Sequence, residues 1–176
     1  MTQHLSWHPV STRPDLLAEP VRTALEGSPL ADSVQVAAID PDLADTQALV
    51  DATDVTLEES ANCIVVLGRR GEIERVTAAL VLATTRADVN TTIRKSLDVR
   101  KASFMPMERA VTETAMEFGG ITPVGLPADW PVLVDSRVVE AARVVIGSGI
   151  RGSKLRLPGA SVARLPGVRV VEGLAR

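Results

Sequence analysis

Hydrophobic and polar residues recur along the chain in two periods, and the switches between them outline its elements. Leu16, Leu17, Val21 and Leu25 fall at helical spacing within Asp15–Glu26, where Pro20 is expected to bend or shorten the helix and Gly27-Ser28-Pro29 to end it. Val34–Ile39 alternates as a short strand, and Asp40-Pro41-Asp42 reads as a turn and cap ahead of a helix over Leu43–Ala52. Cys63–Leu67 and Ile73–Ala83 are two strands joined through Arg69-Arg70-Gly71-Glu72, which together spell a β-hairpin. Asp88 is placed to cap a helix ending at Leu97, Lys101–Met105 is short and extended, and Pro106 opens a helix towards Phe118.

Beyond Phe118 the texture changes to a loop, Gly119-Gly120-Ile121-Thr122-Pro123-Val124-Gly125-Leu126-Pro127, then an apolar strand Val132–Val134 ending in Asp135. The β-branched stretch Val138–Ile146 is expected to be extended, followed by a turn at Gly147-Ser148-Gly149 and a strand at Leu155–Leu157. A turn or short helix from Gly159 and a strand Val168–Val171 complete the pattern. Helices mix with many short strands in no regular βαβ rhythm, so the expected class is α+β, a mixed, partly barrel-like sheet with flanking helices. Residues 1–12 read as a flexible lead and 13–176 as one domain without internal repeats.

Composition narrows the function classes. Hydrophobic residues make up 45% and charged residues 23% of the chain, which fits a packed core and not a disordered segment. No apolar run approaches the ~20 residues of a membrane helix, and Met1–Val10 has neither a basic nor an apolar leader segment, so a cytoplasmic protein without membrane contact is expected. The single cysteine, Cys63, sits in an apolar run and reads as a core thiol, which excludes a disulfide framework or a thiolate zinc site. His4 and His8 have helical metal-ligand spacing, but Pro9 interrupts it and no third ligand is near in sequence; no metal is expected. A net charge of −3 argues against general DNA or RNA binding, and two tryptophans, two phenylalanines and no tyrosine argue against a multi-aromatic stacking platform. Contact with RNA must then be local, through a few arginines and lysines. No phosphate loop or dinucleotide fingerprint occurs, so no cofactor is expected.

The loop Gly119–Gly125 carries the candidate chemistry. Two adjacent glycines let a backbone turn tightly and approach a ligand, and their amides can converge on an oxyanion or carbonyl. The same residues also suit a plain helix C-cap with prolines to stop the helix. No Ser-His-Asp or Cys-His set is available as an alternative, since both histidines lie near the N-terminus.

In context this loop resembles the GGxxPxG signature of the YbaK/prolyl-tRNA synthetase-associated editing domain family. The strand Val132-Leu133-Val134-Asp135 and the basic glycine-rich turn Ile146–Gly152 follow it as they do in that family, and the likeness spans roughly Glu58–Leu157. The resemblance implies hydrolysis of the ester joining a non-cognate amino acid to tRNA, without a metal or protein nucleophile. It places backbone donors at Gly119, Gly120 and Ile121 and puts Asp135 at the pocket edge, with the substrate's ribose hydroxyl helping to position or activate water. The partner it implies is the acceptor end of an aminoacyl-tRNA carrying a small amino acid, with proline tRNA and a synthetase as candidates.

One departure stands out. Where the family has a lysine-threonine pair, this chain has Asn62-Cys63, an amide in place of an ammonium. Arg86 and Lys101 are the candidate replacement cations, each equally readable as surface charge. Thr122, Pro123, Gly149 and Arg151 complete the expected substrate-binding set, with Lys154 beside Arg151 as a further phosphate contact or a solvated charge. Asp135 reads either as a pocket residue or as a cap for the turn after its strand. Two functions therefore remain open: a trans-editing deacylase, or a non-catalytic module that binds aminoacyl-adenosine, tRNA or a synthetase. A hydrolase of some other small acyl ester is a third.

Overall fold

The computed structural model describes residues 2–176. Its longest elements are the antiparallel strands β3 (Ala61–Arg70) and β4 (Ile73–Leu82), the expected hairpin extended at both ends. Gly71, at φ 62°, makes the tight turn between them. β5 (Lys101–Phe104) adds antiparallel to the outer side of β3, while β6 (Val132–Asp135) and β9 (Val168–Val171) add in parallel beyond β4. The result is a mixed five-stranded sheet in the order β5-β3-β4-β6-β9. A second sheet has the order β1-β2-β8-β7, from β1 (His8–Pro9), β2 (Gln35–Ala38), β7 (Val144–Gly147) and β8 (Ser153–Leu157), all antiparallel.

The two sheets bury a common core between them. Alternation sends Ala78 and Leu80 of β4, Val132 and Val134 of β6, Val36 of β2, Ile146 of β7 and Leu155 of β8 into one cluster. The intervening residues face outward into three further clusters: Ala79, Val81 and Leu133 meet Ile93 and Leu97, Val65 and Leu67 meet Trp130, and Ala37 and Val145 meet Leu49. Each buried Val, Leu or Ile contributes on the order of 1.5–3 kcal/mol, so burial on both faces of the sheets stabilises the fold and sets strand register. The class is α+β as expected, but the strands form two sheets and no closed barrel. They touch along one seam, where Val145 donates to the Glu59 carbonyl at 2.7 Å and Ser60 bridges Val145.

Several elements depart from the sequence reading for identifiable reasons. Of the two effects expected of Pro20 the structure shows the shortening: it lies in the first turn of α1 (Glu19–Leu25), where its missing N–H costs nothing, and it opens the helix without bending it. The helix expected from Leu43 begins later, as α2 (Thr46–Ala52), because the Asp45 carboxylate accepts from the Gln47 and Ala48 amides. α3 (Arg94–Ser96) continues a π-helical turn over Val89–Ile93 that Asp88 caps through the Thr91 amide. α4 (Met107–Thr114) stops short of Phe118, since Ala115 turns left-handed at φ 54°. Val138 and Val139, read as extended, lie in α5 (Ser136–Glu140), capped by Asp135. The last helix is α6 (Gly159–Val162).

The expected flexible lead is packed over residues 2–12: Leu5 and Val10 are buried, β1 pairs with β2, and Gln3 bridges Thr53. These apolar side chains close the edge of the smaller sheet.

Candidate functional site

The seam between the sheets opens into a cleft of about 440 Å³, within the range of small-molecule sites. One wall is the start of β3, Ala61-Asn62-Cys63. The other is Gly147 at the end of β7 with Arg151 and Lys154 beyond it. Ala44-Asp45-Thr46 and the run Phe118-Gly119 with Ile121 complete the lining.

The double-glycine loop is held against this cleft by backbone bonds. Glu117 N donates to Gly149 O at 2.8 Å and Gly149 N donates to Gly120 O at 2.7 Å, so the loop is laced to the turn after β7. Gly120 N donates to Glu117 O at 2.9 Å, which spends that amide on the turn itself. The amides of Gly119 and Ile121 have no acceptor among the described residues, and both residues line the cleft. Two donors are therefore free where the sequence suggested three. Gly119 sits at φ 85°, and a Cβ on Gly120 would lie 2.6 Å from the Ile150 carbonyl oxygen, so neither position accepts a side chain without moving the loop. Gly147 is required as well, since a Cβ there would stand 2.4 Å from Gly120 O. Only its place opposite the loop reveals this, not its local sequence.

Arg151 braces the loop. Its guanidinium donates to Phe118 O at 3.1 Å and Pro41 O at 3.0 Å, while its amide donates to Glu117 Oε2 at 2.6 Å. Asn62 is exposed and its carbonyl accepts from the Thr46 hydroxyl at 2.7 Å, which leaves its amide donors open. Neither Arg86 nor Lys101 reaches this cleft; they line separate grooves along β5 and the 86–94 segment.

Besides Arg151, whose guanidinium is spent on bracing the loop, the cation that reaches it is Lys154. Its side chain is buried at 8% exposure, and Nζ donates to Ala44 O at 2.8 Å. It forms no ion pair among the described residues, and an ammonium has two further protons to donate. Burial pushes its pKa down to about 8; the Arg151 charge acts in the same direction and the Asp45 carboxylate opposes it. A strand lysine flanked by Ser153 and Leu155 reads as solvent-facing. What buries it is the flanking strands, where Ala37 and Gly147 stand opposite, and the Ala44 segment above.

A family model, the aminoacyl-tRNA editing domain, matches residues 40–165 of the chain. The chain belongs to the aminoacyl-tRNA editing domain family. The matched stretch contains every lining residue of the cleft. Among solved structures, one is a crystal structure described as a candidate trans-editing enzyme for prolyl tRNA synthetase, with TM-score 0.73, 19% identity and coverage of 88% of this chain and 94% of that one. Another is a hypothetical protein with TM-score 0.71, 19% identity, and coverage of 90% of this chain and 100% of that one. A scaffold used for computational epitope grafting has TM-score 0.74, 18% identity, and coverage of 88% and 95%. At such identities these likenesses establish the fold, that of YbaK-like editing domains. No curated protein matches the chain in sequence.

The remaining expected site residues of this editing domain lie elsewhere. Asp135 is 1% exposed and does not line the cleft. Its carboxylate accepts from the Arg137 amide and guanidinium and from the Ala175 amide, so it caps α5 and ties down the C-terminal segment. Burial works against its charge, but the Arg137 and Ala175 hydrogen bonds outweigh that and hold its pKa below the ordinary carboxylate value. Thr122 is fully buried behind the loop, its hydroxyl without a partner, and Pro123 faces a separate apolar cavity beside Trp130. Gly149 backs the loop without touching the cleft. Cys63 does line it, yet burial pushes its thiol up to about 12, which leaves it protonated and unsuited to nucleophilic attack. Among the described residues no group of His, Cys, Asp or Glu is arranged to hold a metal, and no helix is long and apolar enough to cross a membrane.

Proposed function

We propose that the chain is a trans-editing deacylase that hydrolyses the ester between a small amino acid and the terminal adenosine of a tRNA. The observation that carries this is one cleft that holds two unpaired amides, Gly119 and Ile121, together with a buried ammonium, Lys154. Water attacks the ester carbonyl carbon, and the negative charge that develops on the carbonyl oxygen is met by the amides and the ammonium. The bond from that carbon to the ribose oxygen then breaks. The ribose oxygen takes up one proton of the attacking water, and the amino acid leaves as its carboxylic acid, which gives the second proton to solvent and becomes the carboxylate. The neighbouring ribose hydroxyl of the substrate helps to position the water, so no protein nucleophile is needed. Donors fixed in a partly dry site stabilise such a charge without reorganising, and each is typically worth a few kcal/mol. The cleft selects by size, which suits small side chains, since one methylene is worth only ~1–3 kcal/mol to a pocket.

The decisive experiment is release of amino acid from tRNA charged with alanine, cysteine or serine. Release above a no-enzyme control that collapses in Gly120→Ala supports the proposal. If none of the three is released, yet a non-hydrolysable aminoacyl-adenosine analogue binds, the chain is a binding module and the deacylase reading is wrong.

A further inference from the structure

The two grooves that receive Arg86 and Lys101 form one feature. They adjoin across a shared wall, Asn90 and Ala102-Ser103-Phe104, and enclose about 720 and 710 Å³. Four cations line them without an ion pair among the described residues: Arg86, Arg94, Arg100 and Lys101. Arg94 spends only Nε, on Asn90 O at 2.7 Å. The acid in the groove, Asp88, is already occupied by the Thr91 amide, the Thr92 hydroxyl and Arg176. In a chain of net charge −3, such a cluster is a local concentration and not the background. At its centre Phe104 is 64% exposed on β5, the open edge of the larger sheet.

Register links the groove to the cleft. Phe104 pairs with Val66, four residues beyond Asn62 on β3, and alternation puts the side chains at 62, 64 and 66 on one face. At about 3.3 Å per residue, Phe104 stands about 13 Å from the cleft wall, within a few nucleotides of any chain end held there. We infer that this groove binds the backbone of the RNA strand whose 3′ end enters the cleft, with Phe104 as a stacking face for one unpaired base. The inference rests on the deacylase proposal for the identity of the strand. Its chemistry, paired phosphates and a stacked base, is that of single-strand binders, reduced to one aromatic and four charges.

The test is binding of uncharged tRNA, 5′-labelled and read by fluorescence anisotropy between 50 and 200 mM salt. Four single-strand phosphate contacts give a slope near −2.8 in log affinity against log salt, so wild-type binding weakens about 50-fold across that range. The triple variant Arg86→Ala/Arg100→Ala/Lys101→Ala keeps one contact and weakens only about 3-fold. Phe104→Ala lowers affinity about 5-fold or more without changing the slope. A charge-matched control, Arg22→Ala/Arg164→Ala/Arg169→Ala, keeps the wild-type slope. The inference fails if the groove triple binds like wild type, or if the control loses as much. If the cations only guard an open sheet edge, the groove triple will self-associate while its RNA affinity stays unchanged. Because uncharged tRNA is bound and not cleaved, the two proposals fail separately. A chain that binds with this slope but releases no amino acid keeps the groove and loses the deacylase. One that deacylates while the groove triple binds normally does the reverse.

Discussion

Replacing Lys154 with methionine separates a catalytic charge from a structural one. The folded chain releases the Lys154 proton at about 8, whereas the unfolded chain holds it to the ordinary 10.5. Between those values the unfolded state binds more protons, so stability rises with pH from about 8 to 10.5, and below pH 8 the fold carries the full cost of the buried ammonium. That gap corresponds to about 3 kcal/mol. Methionine fills a similar volume without charge, but it leaves Ala44 O without its donor at 2.8 Å, a loss of about 1–2 kcal/mol. The balance is a gain of about 1–2 kcal/mol at pH 7, or about 4 °C in Tm for a chain of this size. Deacylation should fall ~10²- to 10³-fold, the usual cost of losing one oxyanion donor. In the wild type, the enzyme-dependent rate, corrected for spontaneous hydrolysis, should decline as pH rises through about 8, because the ammonium is the active form. The charged groups around Lys154 are Asp45 and Arg151, so the same decline in Asp45→Asn should begin at lower pH. Thermal melting and single-turnover deacylation of charged tRNA, run on one preparation, decide the matter. A Lys154→Met protein that melts lower than wild type while its deacylation rate is unchanged would refute the reasoning and make Lys154 a strut.

Three further outcomes follow from the same geometry. Gly147→Ala places a Cβ 2.4 Å from Gly120 O and 2.8 Å from Ile121 O, so it should cost about 1–3 kcal/mol of stability and most of the deacylation rate; a variant with wild-type kcat would show that the loop tolerates displacement. Asp135→Ala should lower stability by about 2–4 kcal/mol in a urea melt with little direct effect on chemistry, since its partners are Arg137 and Ala175 and not the cleft. Because the Asp135 pKa is depressed, the stability it contributes is present above the ordinary carboxylate value of 3.8 and is lost as pH falls through the folded value; in Asp135→Asn this part of the acid destabilisation should disappear. Cys63→Ala should retain deacylation, and the wild-type thiol should resist iodoacetamide at pH 8, since desolvation raises its pKa to about 12; rapid alkylation there would contradict that raised pKa.

The strands that build the core were legible because alternation and apolar runs report burial directly. β3, β4 and β6 lie where the pattern put them, and Gly71 marks their turn. Elements decided by a single side-chain cap were not. Val138 and Val139 carry strand propensity, yet the Asp135 carboxylate at the head of α5 overrides it, and the same carboxylate is thereby withdrawn from the cleft. The double-glycine loop announced itself as a place of close approach, but which amides are free depends on Glu117 and Gly149, contacts that spacing does not encode. The exchange of charge is the clearest case. Asn62 stands where the resemblance implied an ammonium, and a search nearby in sequence leads to Arg86 and Lys101, which line another groove. Lys154 lies ninety-odd positions along the chain on the other sheet, and only the seam between the sheets brings it to the same cleft. The proposed chemistry needs a cation within reach of the loop and not one on a particular strand. Under the proposed mechanism Lys154, and not Asn62, is the position at which activity in this chain is decided.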